Sequence, residues 1–348
     1  MKIAIATDAW LPQTNGVVTT LRQTARTLTE MGHEVRFLTP EPFFTLPLPS
    51  YRSIRLAVRP GPGVTAWLDR FAPDAVHIAT EGPLGWATRS YCRRRGLRFT
   101  TAYHTQFPQY LRARAPVPEG LSYRLLQRFH APAVRTLVPT ESVRRQLKAR
   151  GFEHLAIWSR GVDTELFRPR DKGFLDCPRP ISAYVGRVAV EKNVEAFLSL
   201  ELPGTQLVVG DGPDLEPLRQ RYPQARFVGF RYGEELARYL AAADVFVFPS
   251  RTDTFGLVML EAMACGVPVA AFPVTGPVDL IQPGRTGELD EDLGQAVRRA
   301  LRLDPGPARE YALTHSWRVA TEQFLSCLAK NGQVPASAAR RRRSMTSR

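Results

Sequence analysis

Residues 243–269 read ADVFVFPSRTDTFGLVMLEAMACGVPV, a complete strand, loop, helix and strand in one stretch. Val245–Phe248 is apolar at every position, as a strand covered on both faces must be. Pro249 ends it, a polar loop follows, and a helix is expected from about Gly256 to Cys265 before the next strand, Val267–Ala271. A helix that starts beside a strand end presents unpaired N–H groups and a partial positive charge. A glycine at that point lets a phosphate or sugar approach the backbone closely. Asp253 lies in the loop and Glu261 in the second helical turn, eight residues apart, so both can face one ligand lying over the helix start. Carboxylates suit such a ligand if it is rich in hydroxyls, which donate to them.

The same alternation extends both ways. Ile181–Val185, Gln206–Val209 and Arg226–Val228 read as strands, with helices near 191–200, 213–222, 233–242 and 290–303. Upstream, Ile3–Thr7, Val35–Leu38, Ala75–Ile78, Phe99–Tyr103 and Leu137–Pro139 are strands, and Asn15-Gly16 opens a helix running to about Met31. Alternating helices and continuous apolar strands argue for an α/β fold of two tandem doubly wound domains facing a cleft. The rhythm breaks at 167–180, a stretch of prolines and charges that reads as a linker. Residues 1–168 are then the first domain and 169–309 the second. Residues 310–330 are expected to form one terminal helix, with Trp317, Val319, Phe324 and Leu325 packing, and 331–348 a basic disordered tail ending in Arg340–Arg343.

The chain has 348 residues, 44% hydrophobic and 23% charged, enough for two cores at roughly 150 residues per domain. No uninterrupted apolar run is long enough for a transmembrane helix, and the N-terminus has no signal-peptide character. Cys92, Cys177, Cys265 and Cys327 are far apart, with no metal or disulfide spacing, which fits a reducing cytoplasm. The net charge of +14 is uneven: residues 1–168 carry 24 basic and 12 acidic residues, residues 169–330 carry 18 and 21. Different partners for the two halves are implied, and a basic face attracts anionic lipid or nucleic acid.

A second stretch, Tyr184-Val185-Gly186-Arg187-Val188-Ala189-Val190-Glu191-Lys192-Asn193, ends a strand in Gly-Arg and places Lys192 at the next helix start. Two cations five apart can both reach one diphosphate. With Val209-Gly210-Asp211-Gly212-Pro213, these stretches resemble the family 4 glycosyltransferases over essentially residues 1–330. Thr7–Val17, with Asn15-Gly16 where most members have two glycines, is similar to the branch of bacterial GDP-mannose-dependent mannosyltransferases and of diacylglycerol- and sulfoquinovosyl-type lipid glycosyltransferases. Ser159-Arg160-Gly161-Val162-Asp163 through Pro169 is similar to the family's segment before the linker, and Ala312–Phe324 to a terminal helix that returns to the first domain.

The resemblance implies the GT-B architecture and retaining transfer from a nucleotide diphosphate hexose, UDP- or GDP-linked. It implies that Asn15, Gly16, Gly186, Gly210 and the backbone of Phe255-Gly256-Leu257 hold the donor. Arg187 and Lys192 would meet the charge on the leaving diphosphate, Glu261 the ribose, and Asp253 and His104 the sugar. Asp253 stands where the family has glutamate, one methylene longer. The family's same-face attack needs no protein base, and no essential metal is implied. Asp290-Glu291-Asp292 reads as a helix start, and no dinucleotide fingerprint follows the first strand.

Glu81-Gly82-Pro83-Leu84-Gly85 is a further strand-to-helix loop and a candidate acceptor contact. Between 93 and 150 lie Arg93, Arg94, Arg95, Arg112, Arg114, Arg124, Arg128, Arg135, Arg144, Arg145, Lys148 and Arg150, with Leu121, Leu125, Leu126 and Phe129 at helical spacing among them. This fits an amphipathic helix on anionic lipid at the inner face of the cell membrane, with a lipid such as diacylglycerol as acceptor. The rivals are a GDP-mannose-dependent α-mannosyltransferase on a glycan or phosphoinositide-type acceptor, a sugar-nucleotide epimerase, and a basic nucleic-acid-binding protein. Against the last, the cations are not interleaved with stacking aromatics.

Overall fold

The computed structural model describes residues 1–13, 15–48, 51–106 and 118–331. Phe107, Pro108, Arg112, Arg114 and the tail beyond Asn331, with Arg340–Arg343, lie outside the described residues.

Two parallel sheets form the two lobes. The first contains β1 (Lys2–Ala6), β2 (Glu34–Leu38), β5 (Ala75–Ile78), β6 (Thr100–Ala102), β7 (Arg135–Val138) and β8 (Leu155–Ile157), in the order β2-β1-β5-β6-β7-β8. A small antiparallel hairpin, β3 (Thr45–Leu48) and β4 (Tyr51–Ala57), interrupts it in sequence and stands apart from the sheet. The second contains β9 (Ile181–Val185), β10 (Thr205–Val209), β11 (Arg226–Gly229), β12 (Val245–Phe248), β13 (Val269–Ala271) and β14 (Gly287–Leu289), ordered β11-β10-β9-β12-β13-β14. Every pairing within both six-stranded sheets is parallel. The order reverses between β1 and β5 in one lobe and between β9 and β12 in the other. Open sheets of this kind bind ligands beyond their carboxyl ends at such reversals.

Helices cross over between strands and are capped as their sequences dictate. Asn15 Oδ1 accepts from the N–H groups of Val17 and Val18, both at 3.0 Å, to start the helix Gly16–Glu30. Asp292 accepts from the Gln295 N–H at 3.1 Å and caps Leu293–Ala300, so the acidic run 290–292 does open a helix.

Three expectations change. Residues 310–330 form two helices, Gly306–Leu313 and Trp317–Cys327, not one. Ser316 starts the second by accepting from Val319 N–H at 3.2 Å, and a residue that caps one helix has left the previous one. Val319 points to solvent, 49% exposed, and does not pack. The first of these helices packs on Leu257–Ala264 of the second lobe, the second on Gly16–Glu30 of the first. Phe324 is fully buried in the first lobe's core beside Ile3, Ile5, Leu21 and Trp158. Finally, Val162 and Phe167 already belong to the second lobe's core, so the chain crosses over just after Trp158, and the boundary expected at 168/169 falls inside the second lobe. There it runs beside the returning chain, with Val162 N–H donating to His315 O at 2.9 Å.

Phe324→Ala leaves a cavity at the centre of the first lobe and loosens the terminal helix. Urea denaturation is expected to show a loss of about 3–5 kcal/mol; a loss below 1 kcal/mol contradicts this packing.

Candidate active site

The second lobe's reversal point gathers most of the expected site. The segment after β9 carries Gly186 and Arg187 and leads into a short 3-10 turn, Val190–Lys192. The segment after β12 runs Pro249–Gly256 into the helix Leu257–Ala264. The two are laced together. Asn193 Nδ2 donates to Pro249 O at 3.1 Å, and Ser250 and Thr252 both donate to Glu191 O. Lys192 Nζ lies 2.8 Å from each oxygen of Asp253, so the ammonium and carboxylate form a two-pronged pair inside the cleft. The shorter aspartate is thus held by the lysine expected at the diphosphate.

The helix start is shaped by Gly256 at φ +84°, where a Cβ would come within 2.6 Å of the Met259 methyl and 3.0 Å of the Phe248 ring. Only glycine turns the chain there. Gly210, after β10, is equally constrained, since a Cβ would lie 1.8 Å from Gly186 O. The loops after β9 and β10 therefore touch backbone to backbone. Arg187 is half-buried. Burial lowers its guanidinium below the usual arginine range, against the pull of Glu191 and Asp214. Glu261 points from the helix into half-buried surroundings, and burial raises its carboxyl to about 7.

The first lobe supplies the other wall from the carboxyl ends of neighbouring strands. After β1, Asp8 is buried. Its carboxylate accepts from the N–H groups of Leu84 at 2.9 Å and Gly85 at 3.3 Å and from the Thr80 hydroxyl. It therefore caps the helix Pro83–Arg95, and burial raises its carboxyl despite those bonds. Further along that loop Asn15 is occupied in capping. A Cβ on Gly16 would lie 3.6 Å from Leu257 Cδ1, so the first loop reaches the helix Leu257–Ala264 of the other lobe. After β5, Glu81 is 3.3 Å from His130 Nε2. His130 is buried, with Nδ1 2.9 Å from Thr101 Oγ1, which in turn meets Thr136 Oγ1 at 3.0 Å. After β6 comes His104, half-buried against Trp158.

Polar bonds join the lobes across this seam. Thr254 donates its hydroxyl to His104 O at 2.7 Å, Gln106 Nε2 donates to Asp253 O at 3.2 Å, and Ser142 N–H donates to Asp279 Oδ1 at 2.9 Å. His104, Gly16, Lys192, Asp253, Phe255 and Leu257 are thereby brought to one cleft; Gly186, Arg187 and Gly210 follow the neighbouring strand ends of β9 and β10, and Glu261 stands on the helix beyond.

Sequence reading missed Arg160, His130, Gln106 and Thr254. Arg160 is buried at the lobe crossing, its Nη2 3.1 Å from His104 Nδ1. Only Arg160 had a signal in the chain, a basic residue in a crossing segment, Trp158–Val162, that is otherwise uncharged. The other partners lie too far apart in sequence.

The profile of Glycosyltransferase Family 4 matches residues 14–166, and that of Glycosyl transferases group 1 matches residues 179–303. The chain is 31% identical to the GDP-mannose-dependent alpha-mannosyltransferase of Mycobacterium tuberculosis, covering 93% of this chain and 95% of the relative. It is 27% identical to the alpha-monoglucosyldiacylglycerol synthase of Streptococcus pneumoniae, over 93% of this chain and 83% of that protein. Among solved structures, sucrose-phosphate synthase from Thermosynechococcus elongatus superposes with a TM-score of 0.76 at 23% identity, over 93% of this chain and 97% of the other. Two facing parallel-sheet lobes, the two matching profiles and a relative 31% identical over 95% of its length make the chain a member of glycosyltransferase family 4: an enzyme, a glycosyltransferase of GT-B architecture.

Proposed function

We propose that the enzyme moves a hexosyl group, with retention, from a UDP- or GDP-hexose to a hydroxyl of a membrane lipid such as diacylglycerol. The observation that carries the donor half is the Lys192–Asp253 pair at the start of the helix Leu257–Ala264. A leaving diphosphate gathers negative charge as the sugar–oxygen bond breaks. Arg187, Lys192 and the helix N–H groups are fixed donors at that place, and preorganised donors of this kind are often the largest catalytic contribution. Asp253 neutralises Lys192 until the donor arrives and then accepts a sugar hydroxyl. Glu261 accepts the ribose hydroxyls. No essential metal takes part, because the cations of the chain meet the diphosphate charge. Closure of the lobes limits donor hydrolysis.

The lipid half is supported by the helix Glu119–His130. Leu126 and Phe129 enter the core, whereas Leu121 and Leu125 are 61% and 54% exposed and share the outer face with the exposed Arg124 and Arg128. Such a face suits an anionic bilayer, at about 1 kcal/mol per basic residue near the surface. The enzyme would then sit on the inner face of the cell membrane, and no helix among the described residues is long and apolar enough to cross it. Glu81, held by His130, would accept the acceptor hydroxyl. The name of the Mycobacterium tuberculosis relative favours GDP-mannose as donor, and on this second reading the acceptor is a glycan or of phosphoinositide type.

Incubating the enzyme with a panel of sugar nucleotides and a lipid extract decides between these readings. A glycosylated diacylglycerol supports the first and a mannosylated glycan or phosphoinositide the second. Donor turnover without any acceptor product supports an epimerase and overturns both. Lys192→Ala is expected to lower kcat about 10²–10³-fold, and EDTA to leave the rate unchanged. In flotation, vesicles containing anionic phospholipid should carry the protein at low salt. Leu121→Ser with Leu125→Ser should lose that binding, and flotation that survives the pair removes this face as the membrane contact.

Glu261 gives a pH signature. Its carboxyl titrates near 4.5 in the unfolded chain and at about 7 when folded. Below 4.5 both forms are protonated and nothing is lost; stability then falls as pH rises through this window, and the full cost is present above 7. Glu261→Gln should therefore raise Tm at pH 8, with a difference that vanishes toward pH 4.5, while weakening donor binding. A lower Tm for the variant at pH 8 would mean that the carboxylate is satisfied in the free enzyme.

A further inference from the structure

Arg160 is 5% exposed, a cation in the interior. Its Nη1 donates to the main-chain oxygens of Trp158 at 2.5 Å and Ser159 at 3.1 Å. Its guanidinium lies 4.5 Å from the Trp158 ring and 6.0 Å from the Phe255 ring of the other lobe. The remaining arm, Nη2, is 3.1 Å from His104 Nδ1.

That last contact has only one chemical reading. Guanidinium carries five N–H donors and no acceptor, so Nδ1 must offer its lone pair and cannot hold a proton. The neutral imidazole then carries its proton on Nε2. Nε2 is buried and has no hydrogen-bond partner among the described residues. Turning the ring over about its Cβ–Cγ bond would set the Cδ2–H against the guanidinium and lose the bond. The ring also packs edge-on against the fully buried Trp158, 5.5 Å between centroids. The backbone of His104 is pinned from the second lobe by the Thr254 hydroxyl.

We propose that Arg160 is a positioning residue: it locks His104 in the neutral Nε2–H tautomer, so that the nucleotide sugar meets a fixed hydrogen-bond donor aimed at one of its oxygens. This rests on the reading of His104 as a sugar contact. An orphaned N–H in a closed polar seam is costly alone and is satisfied by a sugar hydroxyl or ether oxygen accepting from it. The donor is also independent of pH. The charged and titratable groups around the imidazole are Arg160 and His77 from its own lobe. From the other lobe come the neutral Thr254 and, one residue earlier, Asp253 already paired with Lys192. Burial first, then the charge of Arg160, then His77, hold the imidazole well below the usual histidine range. Protonation at Nδ1, which would break the lock, is thereby suppressed.

The experiment combines nitrogen NMR of histidine-labelled full-length protein with donor kinetics. In the wild type, His104 should show a protonated Nε2 and a bare Nδ1 unchanged from pH 5.5 to 8, and kcat/KM for the donor should lack a histidine limb. Arg160→Met should give mixed tautomers and raise donor KM about tenfold. Arg160→Lys, which restores a cationic donor, should recover the tautomer in large part. In a His104→Gln background, Arg160→Met should add no further loss, because the two act through one group. A wild-type His104 that carries its proton on Nδ1, or that titrates near 6.5, overturns the lock. So does an unchanged tautomer in Arg160→Met, or in Arg160→Lys should the first variant not fold. A tautomer that behaves as expected while donor KM stays unchanged in both His104→Gln and Arg160→Met overturns the sugar contact and with it the role of Arg160 in donor binding.

Discussion

The hydroxyl of Thr254 meets the main-chain oxygen of His104 at 2.7 Å, and through that bond the loop after β12 is held from both lobes at once. On its own side the same loop is tied by Ser250 and Thr252 to Glu191 and by Asp253 to Lys192. That loop, with Gln106 on Asp253 O and Ser142 on Asp279, thus joins two sheets whose cores are otherwise separate. Each sheet can be built alone from local signals, since apolar strands and crossover helices bury their own faces. A cleft between them cannot, because its geometry depends on which strand ends face each other. The seam makes that choice, setting the strand end of β6 against that of β12.

The electrostatics follow from this enclosure. Burial lowers the guanidinium of Arg160 to about 9 and that of Arg187 below its usual range, and raises the carboxyl of Glu261 to about 7. In each case the charged form is the one penalised. Such a site stores strain of both signs, and a ligand with one anionic end and several hydroxyls relieves both. Lys192 and Asp253 differ, since they already answer each other. On the proposed function that pair is a preformed half of the site, since a donor that brings phosphate to the lysine would free a carboxylate for a sugar hydroxyl.

Most strands were legible because continuous apolar runs between glycines and prolines have few other uses. What escaped notice was short or dependent on distant contacts. Leu155–Ile157 and Gly287–Leu289 have three residues each and gain strand character only by pairing with β7 and β13. The hairpin Thr45–Leu48 with Tyr51–Ala57 hides behind prolines. The broken terminal helix did leave a signal, Ser316 as a helix cap. The candidate site was legible as two strand-to-helix loops, which the fold sets side by side. The bond between Lys192 and Asp253 joins residues 61 apart and that between Arg160 and His104 residues 56 apart, and no local pattern encodes either.

These bonds also differ in what a movement of the lobes would do to them. The chain crosses between lobes twice, near Ser159–Val162 and near Thr314–Trp317, and the crossings are bound side by side by Val162 N–H on His315 O. A separation about that line breaks the bond from Thr254 to His104 and the bond from Gln106 to Asp253, which span the seam. It leaves Arg160 on Trp158, Ser159 and His104, because all of these belong to the first lobe or to the crossing itself. It also leaves Lys192 on Asp253, within the second lobe. Each lobe would therefore keep its own prepared pair on opening, and on the proposed function closure would only have to bring the two together. Preorganisation of this kind limits the entropy lost at closure to the relative motion of two rigid bodies, because the side chains are already ordered.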